Sequence, residues 1–124
     1  MAKSQKPAVS GGELLDRAFI AVVRHRWHYP GYTTREGVIA CLRRACLGFT
    51  APRHERAFDR AHGLYQHTTE VVQRHFARFS AKDQWCPAEI SRDITDELRR
   101  LAPGFRLSAY RYAIGCILDW HHWR

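Results

Sequence analysis

From Ser10 onward, apolar residues return at the three- to four-residue interval of an α-helix, in stretches opened by capping signals and closed by glycine or proline. This rhythm restricts the chain more than any other feature. Strict alternation never persists long enough to argue a strand, and no internal repeat is found. The expectation is therefore an all-α fold, a single-domain bundle of about five helices.

Ser10 and Glu13 form an S-x-x-E capping box, which opens a helix running to about His28, where Pro30 and Gly31 stop it. Leu14, Leu15, Ala18, Phe19, Val22 and Val23 share its apolar face, with Arg17, Arg24 and His28 opposite. Thr33 and Glu36 repeat the spacing and open a second helix, whose core side takes Val38, Ile39, Cys41, Leu42, Ala45 and Cys46 before Gly48. Pro52 sits in the first turn of the longest element, about residues 52–79, with Ala57, Phe58, Ala61, Leu64, Tyr65, Thr68, Val71, Val72, Phe76 and Phe79 on its apolar arc. After a loop at 80–85, Pro87 starts a fourth helix with Ile90, Ile94, Leu98 and Leu101 on one face. Ser108 caps a fifth, apolar over more than half its circumference.

At 124 residues, with 45% apolar and 26% charged, the chain is expected to fold as one domain over 10–124 behind a flexible tail at 1–9. The lysines of the first residues are not followed by an apolar segment of signal-peptide length, and no run approaches the ~20 apolar residues of a membrane span. A cytoplasmic protein without a membrane partner is expected. The four cysteines, Cys41, Cys46, Cys86 and Cys116, show no CxxC pairing and read as free thiols.

Function is less constrained, because no motif in the chain specifies a reaction. The formal charge is +8, with 17 arginines against 3 lysines. Arginine suits bidentate phosphate contacts, and a GC-rich genome also favours its codons, so the count alone decides nothing. The net charge does attract polyanions or acidic partners. On the long helix a wheel separates an acidic strip, Glu55, Asp59 and Glu70, from a basic one, Arg53, Arg56, Arg60, His67, Arg74 and Arg78, extending about 37 Å at 1.5 Å per residue. Arg43 and Arg44, and also Arg99 and Arg100, widen that surface if the bundle brings them alongside. The alternative is a solvated face with Arg74 paired to Glu70 and Arg56 to Asp59.

The expected function is a non-catalytic basic protein that binds RNA or single-stranded DNA through the phosphate backbone, as a small subunit of a nucleoprotein complex. Small helical subunits of CRISPR effectors illustrate the class, although no motif marks this chain as one. A second reading is an inhibitor or adaptor docking its basic face on an acidic protein. A third is a helical ribonuclease, for which Arg56 with His62 and Arg60 with His67 fit an Arg-x(4–6)-His spacing, no more often than 17 arginines and eight histidines give by chance. No cofactor is expected. Glu55, Asp59 and His62 fall on one face at i, i+4 and i+7, but zinc spacings and paired Glu-x-x-His motifs are missing, so no metal is expected. A helix-turn-helix from the last two helices is disfavoured, since the fifth offers mainly Arg111, Tyr112 and His122 to a groove. Trp27 and Trp123, each near a helix end, are candidate partner contacts.

Overall fold

A computed structural model describes residues 10–79 and 86–122, the last three by their backbone alone. Among the described residues there are five α-helices: α1 Gly11–Arg26, α2 Arg35–Ala45, α3 Ala51–Arg74, α4 Ala88–Leu101 and α5 Leu107–His122. A 3-10 turn, Phe76–Arg78, follows α3, and no strand occurs among the described residues. The all-α expectation with one long helix therefore holds. The expected tail at 1–9, the loop at 80–85 and Trp123 lie outside the described residues. By compactness the chain divides into two units, Met1–His62 and Gly63–Arg124, with the boundary inside α3.

In the first unit α1 packs against α2. The Ser10 hydroxyl accepts from the Glu13 backbone N–H at 3.1 Å, which realises the expected cap. The helix ends earlier than about His28, at Arg26. There the His28 N–H donates to the His25 carbonyl and the Tyr29 N–H to the Arg24 carbonyl, the paired bonds of a Schellman ending. His28 holds the left-handed position at φ 58°, which glycine usually fills. The α2 cap falls one residue later than expected: Thr34, not Thr33, has the extended backbone of a cap, and its hydroxyl accepts from the Gly37 N–H at 3.0 Å. Leu14, Leu15, Ala18, Phe19, Val22 and Val23 are buried as the periodicity requires.

The turn from α2 into α3 is pinned by a residue whose role periodicity does not reveal. His54 is only 2% exposed, and its ring nitrogens lie 2.9 Å from the Thr50 carbonyl oxygen and 2.8 Å from that of Cys46. Its ring also meets Phe49 edge-on. A buried carbonyl left without a donor costs about 1–3 kcal/mol; the Thr50 carbonyl already accepts from the Arg53 and His54 backbone N–H groups, so the ring N–H is best used on the Cys46 carbonyl at the point where the chain reverses.

In the second unit α4 packs against α5. Val71, Val72, Ile90, Ile94, Leu98, Ala113, Ile114 and Ile117 are buried, and Thr68 joins them by donating its hydroxyl to the Leu64 carbonyl at 2.6 Å. The α-helical part of the long element stops at Arg74, short of the expected 79. The tighter winding after His75 shifts the phase of the pattern, which leaves Phe76 exposed and Phe79 half-buried, the two rings meeting edge-on. Leu101, expected on the core face of α4, is exposed at the last position of that helix. The α4–α5 connection is fastened by Tyr110, which is fully buried, donates its hydroxyl to the Ala102 carbonyl at 2.7 Å and accepts from the Phe105 N–H.

Candidate nucleic-acid interface

The arginines singled out from sequence fall in different surroundings, decided by which neighbours carry carboxylates. In the first unit, Arg53, Arg56 and Arg60 are exposed on α3, and Arg43 and Arg44 are exposed near the end of α2. Arg53 lies over the Phe49 ring, 4.8 Å from its centroid, and Arg44 donates to the Cys41 thiol sulfur at 3.3 Å. Arg43 and Arg56 meet no carboxylate within ion-pair distance among the described residues; Arg56 does not pair with Asp59. Asp59 is taken instead by Arg35 of α2, whose two terminal nitrogens reach its carboxylate at 2.6 and 3.3 Å. That bond, more than the charge of Asp59 itself, raises the Arg35 pKa.

In the second unit Arg74 and Arg78 are brought together on the carboxylates of α4. Arg74 lies 3.1 Å from Glu97 and Arg78 lies 2.7 Å from Asp93, while the His75 ring reaches Glu97 at 3.4 Å. Arg74 does not use Glu70, four residues earlier, which stands 4.0 Å from His67. These two guanidinium groups hold the end of α3 and the 3-10 turn onto α4.

The side of α4 that turns to α5 is different. Arg92 and Arg99 of α4 and Arg111 of α5 line a half-open groove of about 450 Å³, together with Asp96 and the hydroxyl-bearing Ser91 and Thr95. None of the three arginines has a carboxylate within ion-pair distance among the described residues. Arg92 and Arg99 are two helical turns apart, about 10.5 Å along the axis. That spacing matches about three rises of 3.4 Å along a stacked strand, more than one phosphate group spans. Arg92 was missed from sequence, although its i, i+7 relation to Arg99 is visible there. Arg111 required the pairing of α4 with α5, which periodicity does not give.

The histidines of the ribonuclease spacing sit in unlike places. His62 is half-buried and stacks on Phe58, 6.1 Å between centroids. Burial, then the Arg26 and His25 charges, push its pKa below the ordinary 6.5, so it is neutral at pH 7. Burial pushes the Cys46 and Cys116 thiols up, and none of the four cysteines is joined in a disulfide. No cluster of three or more His, Cys, Asp or Glu among the described residues is disposed to hold a metal ion. Trp27 is half-buried at the end of α1. No helix among the described residues is long and apolar enough to cross a membrane. Comparison with protein families, with curated proteins and with solved structures found no match for this chain.

Proposed function

We propose that this chain is a non-catalytic protein that holds RNA or single-stranded DNA by its phosphodiester backbone, working in the cytoplasm as a small subunit of a nucleoprotein assembly. The observation that supports this reading best is the α4–α5 groove, where three guanidinium groups stand without a carboxylate partner among the described residues. Arginine forks match phosphate geometry, and their spacing suits a chain of phosphates better than a single one. Contacts of this kind carry no base information, so affinity is tolerant of sequence and steep in salt. Arg43 and Arg56, exposed in the first unit, supply further phosphate contacts of the same kind.

The direct test is fluorescence anisotropy with mixed-sequence single strands of RNA and DNA at several salt concentrations. Binding of both strands, weakening steeply as salt rises, is the expected result. Absence of binding at low salt contradicts the reading, and saturable binding to an acidic protein alone, with none to either strand, replaces it with a docking function.

A further inference from the structure

We propose that the first unit binds a small organic acid, a carboxylate joined to a short apolar group, in the pocket between α1 and α2. The pocket encloses about 140 Å³ and is half open to solvent. A cavity of about 150 Å³ accommodates a ligand the size of benzene, so the space suits roughly six non-hydrogen atoms. Its floor is apolar, made by Ile20 and Ala21 of α1 with Leu42 and Ala45 of α2.

The charged groups at this pocket are cationic, and the neutral Tyr32 hydroxyl and Cys41 thiol line it beside them. Arg17 and Arg24 lie two turns apart on α1, both line the pocket, and no carboxylate among the described residues lines it. Arg17 has no ion-pair partner among the described residues. Arg24 is held by a neutral partner only: its guanidinium donates to the Tyr32 hydroxyl at 3.0 Å and lies 5.5 Å from that ring's centroid. Tyr32 is fixed in turn, since the His25 ring sits 2.6 Å from its backbone carbonyl oxygen. One arginine is therefore positioned in advance with its charge uncompensated, beside an apolar floor that an inorganic ion cannot use. A pocket that joins an apolar bed to a few convergent charged groups fixes both the position and the orientation of a small ligand. An inorganic phosphate leaves the floor uncovered, and a neutral alcohol leaves the guanidinium groups unanswered. A short carboxylate meets both demands.

This site shares no residue with the α4–α5 groove and does not rest on nucleic-acid binding. Amide NMR of the full chain, titrated with sodium butyrate, 1-butanol and inorganic phosphate at constant ionic strength, tests it. Butyrate is expected to give saturable shifts at Ile20, Arg24 and Leu42 in the millimolar range, with neither control reproducing them. Arg24→Ala should weaken butyrate binding roughly tenfold, the loss of the charge-assisted contact made by the positioned guanidinium. Ala45→Leu, at an exposed position that tolerates a larger side chain, should block the pocket while both arginines remain. The proposal is overturned if butyrate gives no saturable shift, if phosphate gives the same shifts, or if Ala45→Leu binds butyrate like the parent.

Discussion

Helix α4 carries two charged faces, and the fold uses them in opposite ways. Asp93 and Glu97, one turn apart, collect Arg78, Arg74 and His75. Arg92 and Arg99 instead border the groove toward α5 and form no ion pair among the described residues, although Asp96 lines the same groove. Arg92 and Asp93 are neighbours in sequence but roughly 100° apart around the helix, enough to place one at a fastening and the other at an opening. In an arginine-rich chain the number of cations does not locate an interface. What locates it is which cations the fold has left without a carboxylate.

The sharpest way to break this contrast is to remove one face and then the other. Replacing Arg92, Arg99 and Arg111 together with alanine should raise the dissociation constant for single strands at least about a hundredfold, at about 1 kcal/mol or more per contact. Circular dichroism should find the unfolding midpoint of that variant close to the parent's, since none of the three is ion-paired within the described residues. Glu97→Ala should do the reverse, lowering stability by about 1–2 kcal/mol in urea titration, because its side chain is only 24% exposed and faces both Arg74 and His75. Binding should hardly change. Arg78→Ala removes a pair exposed on both sides, so the expected loss is about 0.2–1 kcal/mol, diminishing in high salt. Smallest of all, Asp96→Asn removes the carboxylate that lines the groove among the described residues and should tighten binding of both RNA and DNA by roughly two- to threefold.

Most of the fold was legible because helical periodicity reports burial directly. The apolar face read for α1 is buried in full, and Ser10 caps that helix as its spacing with Glu13 implies. The readings that shifted did so where backbone geometry overrode pattern. Thr34 displaced Thr33 as a cap because only the local backbone decides which hydroxyl reaches an N–H. Phe76 left the core arc because the winding tightened after Arg74. His54 and Tyr110 fasten their turns through carbonyls, and a carbonyl leaves no mark in sequence. The candidate site was legible only in part. A wheel drawn for one helix separates acidic from basic strips but is blind to other helices, so it paired Arg74 with Glu70 and Arg56 with Asp59. In the structure Arg74 finds Glu97 on α4, and Asp59 is claimed by Arg35 on α2.

The central claim is that the unpaired arginines of the groove, and not the paired ones beside it, neutralise phosphates. The measurement that addresses it most directly is the slope of log affinity against log salt for a single strand, compared between the parent, the Arg92/Arg99/Arg111 alanine variant and an Arg74/Arg78 alanine variant. At about 0.7 per phosphate contact on a single strand, the groove variant should lose about 2 from the magnitude of the slope while the Arg74/Arg78 variant keeps the parental value. A groove variant with an unchanged slope, or an equal loss in the Arg74/Arg78 variant, would contradict it.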